Sequence, residues 1–447
     1  MKRAMSKLCM SGMCASGSVL ALVLCAGVTT AQETKAPEKA AKPKITFVRC
    51  GTLIADATQP AISNGDVVIT EGKVTEVGEG LKLPAGAEEK DFSKYTCMPG
   101  LVDAHIHLWS GPRGQYPSLL LGTLRAAKGM EYALDSGVVA ARVLGTNGFM
   151  DVALQHAIDE GTIPGPHLIP AAHAISIPGG HGDFYDFPPE LTPENYYTPE
   201  NGFINSPADA EAAVHWQLKY GAKVIKILAS GGVLSPIDSP LAEQVSPEEL
   251  KVIVEQAHAA HVKVAAHDEN LPTIWAALRA GVDSIEHGAG LDAEAANYMK
   301  EHGVYLTPTL YIANNIVENG AKMHMPDYAI RKANQIWQGE LEGFRAALKA
   351  GVKISAGSDQ SYEPGKGTVR DEIMTLARFG ATPQQALTWG TRGSADLLGL
   401  DDLGTLATGK EGDIVATEGN PLADIKALEK VRAVIFKGES VPAANHY

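Results

Sequence analysis

The sequence predicts an α/β protein: a (β/α)₈ barrel of the TIM type, joined to a small β-sandwich domain formed by both chain ends. Three observations predict it. Helical patterns in the middle of the chain end repeatedly in a Gly turn that leads at once into a short apolar strand. Side chains able to bind metals recur where those strands finish. Alternating apolar and polar segments at the two ends resemble each other and differ from the middle.

The first element is a targeting segment. Lys2, Arg3 and Lys7 precede the apolar run Val19–Val28, and Thr29-Thr-Ala31 offers a small-residue exit, so residues 1–31 read as a signal peptide cleaved before Gln32. The run is well short of the ~20 residues of a spanning helix. Leu24 stands before Cys25 where a lipoprotein signal wants a small residue. Residues 32–44, rich in Lys, Ala and Pro, read as a flexible leader. The chain is therefore expected to be exported, periplasmic or secreted, with no membrane contact after cleavage. Its formal net charge of −14 becomes more negative once the signal leaves, which argues against nucleic acid as a partner. Of five cysteines, Cys9, Cys14 and Cys25 leave with the signal. Cys50 and Cys97 remain in an oxidising compartment, and sequence leaves their pairing open.

Residues 45–98 form the first part of the β-sandwich. Ile45–Cys50, Asp66–Thr70 and Lys73–Val77 alternate around a turn at Glu71-Gly72. Residues 406–447 form the second part, through Asp413–Thr417 and Val431–Phe436. Between them, residues 99–405 carry the βα units. Ser136-Gly-Val, Tyr220-Gly-Ala, Ala280-Gly-Val, His302-Gly-Val and Ala350-Gly-Val each place Gly as a helix terminator. No phosphate-type Gly-rich loop follows the first strand, which favours a barrel over an open doubly wound sheet.

The strand ends carry the chemistry. In Pro99-Gly-Leu-Val-Asp-Ala-His-Ile-His107, His105 and His107 point the same way on a strand and can share one ion. With 14 His in the chain, such a pair alone is unremarkable by composition. Gly221 leads to Lys226, Gly281 to His287 and Gly351 to Asp359, while His261 takes the Gly slot before His267. Lys226 lies in the apolar strand Ala222–Ala229, where an ammonium must be paired or neutralised. One reading pairs it with a carboxylate at the barrel mouth; the other makes it a carbamate that bridges two metals. His267 and His287 are each as readily structural as ligating, and Asp359 could cap the next helix. Together these N and O donors suit zinc or a similar divalent ion.

The whole set resembles the amidohydrolase superfamily, and within it the secreted two-metal branch of Xaa-Pro and Xaa-Arg dipeptidases and ochratoxin-type amidohydrolases. The likeness spans roughly residues 45–440. It rests on the His105/His107 motif, Ile225-Lys-Ile-Leu-Ala-Ser-Gly-Gly232, Ser284-Ile-Glu-His-Gly288, Gly357-Ser-Asp359 and the return Leu403–Asp413 with Gly419–Ile425. The resemblance implies that His105, His107 and Asp359 hold one metal and His267 and His287 the other. Lys226, as N6-carboxylysine formed with carbon dioxide or bicarbonate, bridges both. A shared hydroxide then attacks the amide, with Asp359 moving its proton to the leaving amine. It implies as substrate a dipeptide or N-acyl amino acid with a free carboxylate, ochratoxin A-type amides included. Homo-oligomers, octamers among them, are also implied.

Three departures stand out: Asp268-Glu-Asn270 where relatives often have a second His and Gly, Val143 where they often have Asp, and His261 in place of Gly. His181, in Gly179-Gly-His-Gly-Asp183, resembles a loop that reaches the substrate. Arg370 is a candidate for the substrate carboxylate; for both residues the alternative is a solvated loop position. His258 and Trp216, Trp275, Trp337 and Trp389 read as structural. Two other functions compete: a one-metal cyclic amidase or deaminase of the imidazolonepropionase type, and a non-catalytic metal-binding barrel.

Overall fold

The computed structural model describes residues 43–108, 118–183, 190 and 192–442. The signal peptide and nearly all of the leader lie outside the described residues. Toward the N-terminus, β1 (Ile45–Leu53), β2 (Ile62–Ser63), β3 (Gly65–Thr70), β4 (Lys73–Glu79) and β5 (Glu88–Pro99) belong to one sheet. The Glu71-Gly72 turn is present. Both residues have positive φ (50° and 79°), the backbone that suits a tight hairpin, and β3 pairs antiparallel with β4 around them.

The middle alternates strand and helix. Its strands are β6 (Leu101–Ile106), β7 (Val138–Val143), β8 (His167–Pro170), β9 (Val224–Leu228), β10 (Lys263–Asp268), β11 (Ser284–His287), β12 (Tyr305–Thr307) and β13 (Lys353–Ile354). The intervening helices are α1 (Leu119–Asp135), α2 (Met150–Asp159), α3 (Pro207–Tyr220), α4 (Pro247–Ala259), α5 (Leu271–Ala280), α6 (Ala293–His302), α7 (Leu310–Asn319) and α8 (Asp327–Ala350), with α9 (Val369–Arg378) following β13. Local sequence sets the helix ends. Ser206, Ser246 and Asn270 accept backbone N–H bonds as N-caps of α3, α4 and α5, each with a Pro in the first two helical positions. Gly221, Gly281, Gly303 and Gly351 close α3, α5, α6 and α8 in the left-handed conformation, as expected. His261 does the same after α4 at φ 59°, a conformation that costs a side chain what it does not cost Gly.

Parallel pairing gives the orders β6-β7-β8 and β13-β12-β11-β10-β9. Backbone hydrogen bonds cross both gaps between these sheets. Ile175 N–H reaches the Lys226 carbonyl (2.8 Å), and Asp359 N–H reaches that of His105 (2.8 Å). Every residue of β6, β7 and β9 is buried, as for parallel strands covered on both faces.

After the helices the chain returns through β14 (Ile414–Thr417), β15 (Val431–Phe436) and β16 (Glu439–Ser440). The order β16-β15-β14-β5-β1-β3-β4, with β2 on β1, joins both chain ends in one eight-stranded sheet. The contribution of both ends is as expected; the hydrogen bonding makes one continuous sheet. Cys50 and Cys97, on the parallel neighbours β1 and β5, are fully buried and disulfide-bonded with Cα atoms 5.9 Å apart. Sequence left that bridge open. Among the described residues, no helix is long and apolar enough to cross a membrane.

Candidate metal centre

The expected ligands sit on or just beyond β6, β9, β10, β11 and β13. The best-assembled part is at β6 and β13. Ligand atoms of His105, His107 and Asp359 all lie within 4.8 Å of one another, close enough to share one ion. Asp359 Oδ1 is 3.1 Å from His107 Nε2 and 3.5 Å from His105 Nε2. Burial pushes the Asp359 carboxyl up, but the neighbouring imidazoles outweigh it and hold the acid below the usual range.

This part is braced from behind. His105 Nδ1 meets Glu286 Oε2 at 2.9 Å. The other oxygen of Glu286 accepts from Arg142 Nη2 (2.8 Å) and Ser284 Oγ (2.6 Å), all of them buried. An ionised Glu286 calls for a proton on His105 Nδ1, which leaves Nε2 with its lone pair free. Asp103 accepts from Tyr362 Oη (2.7 Å) and Ser358 N–H (2.9 Å), tying β6 to the segment that carries Asp359. Sequence reading missed Glu286, Arg142, Asp103 and Tyr362 as parts of the centre. The Ser284-Ile-Glu-His motif was the available signal for Glu286.

The other part, on β9 to β11, is differently made. His287 Nδ1 meets Thr309 Oγ1 at 2.7 Å and His267 Nε2 meets the Gly231 carbonyl at 3.1 Å, leaving each ring one nitrogen for a metal. The imidazoles run in a row. Ring centres are 5.3 Å apart from His105 to His287, 4.5 Å from His287 to His267, and 4.3 Å from His267 to His181, which stacks on it. Burial lowers the pKa of His105 and His267 well below the ordinary value and that of His287 to about 4, so all three are neutral, as metal ligation requires. His287 and Asp359 both hold positive φ (69° and 50°), worth about 1–3 kcal/mol of strain each.

Lys226 is 1% exposed and its Nζ has no hydrogen-bond partner. Burial lowers its pKa to about 8. Nearby, buried Asp268, Glu269 and Glu340 also keep carboxyl oxygens without a hydrogen bond. Burial raises Asp268 to about 8 and the two Glu well above the usual carboxylate range.

The remaining candidates separate. His181 belongs to the row, with Nδ1 2.8 Å from Ser235 Oγ. The hydrogen bonds of Arg370 run to Thr368 Oγ1 (3.3 Å) and the Leu428 carbonyl (3.5 Å), outside the row. His258 pairs with Asp283 at 2.9 Å. Trp275, Trp337 and Trp389 pack against the main core, and Trp216 stacks with Tyr220 of its own helix.

Known proteins share this architecture. A model of the amidohydrolase family matches residues 96–441. Ochratoxinase from Aspergillus niger is 33% identical over 421 residues, covering 88% of this chain and 86% of that protein. The crystal structure of a Xaa-Pro dipeptidase with methionine bound in its active site superposes with a TM-score of 0.82 at 31% identity, covering 89% of this chain and 99% of the other. The crystal structure of A. niger ochratoxinase gives a TM-score of 0.80 at 29% identity, over 90% of this chain and 96% of that one.

Proposed function

The chain belongs to the amidohydrolase family and is a hydrolase of amide bonds; from that premise we propose that it cleaves a dipeptide or an N-acyl amino acid with a free carboxylate, using two divalent ions, zinc first among them. The observation that carries this is the orphaned, fully buried Lys226 Nζ beside a row of neutral imidazoles. An amine there without a partner is poorly accommodated as an ammonium. Adding to carbon dioxide and losing a proton, it becomes an anion suited to hold metal on both sides.

In this reading the strands close into a (β/α)₈ barrel, the seam hydrogen bonds at Ile175 and Asp359 supporting closure. His105, His107 and Asp359 would hold one ion and His267 and His287 the other, with carboxylated Lys226 as the remaining ligand. Metal bound by these residues would supply the acidity of the attacking water and polarise the substrate carbonyl. Asp359 takes the proton of the attacking water and passes it to the leaving amine. His181 lines the substrate side of His267. Recognition of the substrate carboxylate by Arg370 requires its guanidinium to leave the Leu428 carbonyl. Export of the mature chain is supported by the buried Cys50–Cys97 bridge. Self-association would cover the exposed Leu119, Leu120, Leu121 and Leu124 of α1.

A one-metal cyclic amidase is the second reading. It is favoured by the finding that, among the described residues, His105, His107 and Asp359 are the one set of three or more His, Cys, Asp or Glu side chains whose ligand atoms converge. To test the main reading, zinc-loaded protein in bicarbonate is given a panel of dipeptides and N-acyl amino acids. Release of free amino acid that a chelator abolishes is expected. Silence across the panel with two zinc bound would overturn it.

A further inference from the structure

The helix that begins beside His287 is capped by a neighbour. Ser206, Ser246 and Asn270 give their own side chains to the first turns of α3, α4 and α5. α7 departs from this. Among the described residues its N-cap Thr309 makes no side-chain cap bond, although threonine is among the residues suited to one. Thr309 Oγ1 lies instead 2.7 Å from His287 Nδ1. Thr309 and Leu310 are fully buried, so the first N–H groups of α7 cannot turn to water and need another acceptor.

Glu372 supplies it. Its Oε1 accepts from Leu310 N–H (3.1 Å) and its Oε2 from Tyr311 N–H (2.7 Å). The carboxylate is fully buried and comes from α9, 62 residues along the chain from Leu310. α9 itself is capped by Thr368, with Asp371 accepting from the Thr368 N–H at 2.8 Å, so Glu372 is spared for α7. The two helix starts meet closely, since Gly367 has no room for a Cβ against the Tyr311 ring. The backbone is strained on both sides of the Thr309–His287 hydrogen bond. Thr309 sits at φ 49° and ψ 35°, a left-handed conformation that a β-branched residue rarely adopts, and His287 has φ 69°. Such conformations persist where their surroundings over-determine them. On the Thr309 side, the two bonds from Glu372 to the next two residues do so. Without them, the Thr309 hydroxyl would be drawn back to the N–H groups of its own helix.

We propose that Glu372 is a positioning residue for His287. By capping α7 from outside, it frees the Thr309 hydroxyl to accept from His287 Nδ1–H, which leaves Nε2 of the neutral ring as the ligand nitrogen. The inference rests on the proposed metal role of His287 and assigns its orientation to a carboxylate that acts through Thr309.

The test reads the proton on His287. Histidine-ring ¹⁵N NMR of metal-free protein should show wild-type His287 protonated at Nδ1. Glu372→Gln, which turns an amide nitrogen toward one of the two N–H groups, should move that proton toward Nε2, and so should Thr309→Val. Thr309→Ser keeps the hydroxyl and should hold the wild-type tautomer. In zinc-loaded protein Glu372→Gln and Thr309→Val should each weaken the second zinc roughly 10-fold by chelator competition, as expected for a lost outer partner of a metal-bound histidine. The two substitutions together should be no worse than Thr309→Val alone, because both act on one hydrogen bond. A merely structural Glu372 would lower the unfolding temperature with the tautomer unchanged, and its effect on zinc would add to that of Thr309→Val. Either result overturns the inference, as does a wild-type His287 protonated at Nε2. Should Glu372→Gln not fold, Glu372→Asp, one carbon shorter, takes its place. If wild type binds no second zinc, the two-metal reading fails, while the tautomer shift in metal-free protein still decides the inference.

Discussion

The two sides of the candidate metal centre are finished to different degrees. At β6 and β13 the side chains that brace the candidate ligands answer one another within the chain. His105 leans on Glu286, Glu286 on Arg142, Asp103 on Tyr362 and Ser358, and three ligands already converge. At β9 to β11 the histidines are braced, but Lys226, Asp268 and Glu269 keep buried polar atoms with no partner. Unanswered buried polar groups are costly, and they concentrate where something else must bind. In the proposed reading one side is complete as protein, and the other awaits additions: carbon dioxide on Lys226 and a second metal.

Substitutions can break or sharpen this contrast. The largest effect is expected from Lys226→Ala, which should cost about 1000-fold or more in kcat/KM and lower zinc from two per chain to one, the His105 side keeping its ion. Retention of both ions would erase the contrast. Replacing Cys50 and Cys97 together by Ala tests whether the sheet of the chain ends is independent of either side. Opening a link across 47 residues should cost about 4 kcal/mol of stability in denaturant unfolding, with kcat/KM unchanged. Glu286→Gln strikes the braced side. Zinc affinity at the tighter site should fall roughly 10- to 100-fold by competition with a chelator, the weaker site following little. The smallest effect is expected from His261→Gly before β10. Relief of its positive φ should raise stability by about 1 kcal/mol and leave turnover alone, separating ordinary backbone strain from the strain at His287 and Asp359.

The contrast also explains what the sequence made legible. The Gly turns announced the strand starts because only the left-handed C-cap restricts the residue so sharply, and even His261 could be read as standing in a Gly slot. The strand-end positions of the candidates His105, His107, Lys226, His267, His287 and Asp359 were legible because each lies a short, countable distance from such a turn or within one motif. The bracing was not. Arg142 and Glu286 are 144 residues apart, and Asp103 and Tyr362 are 259 apart, so nothing local links them. Arg370 lay in a suggestive loop-to-helix position, yet its hydrogen bonds run to Thr368 and Leu428. The Cys50–Cys97 bridge depended on the register of β1 against β5, which patterning does not supply.

The central claim is that Lys226 completes the unfinished side as a carbamate. It is tested most directly by loading the protein with zinc in ¹³C-labelled bicarbonate, then counting zinc and detecting protein-bound carbamate carbon by NMR. The account predicts two zinc and a labelled carbamate per chain, with metal-free or bicarbonate-depleted protein losing both the label and the second zinc. Two zinc bound without any carbamate signal would contradict it.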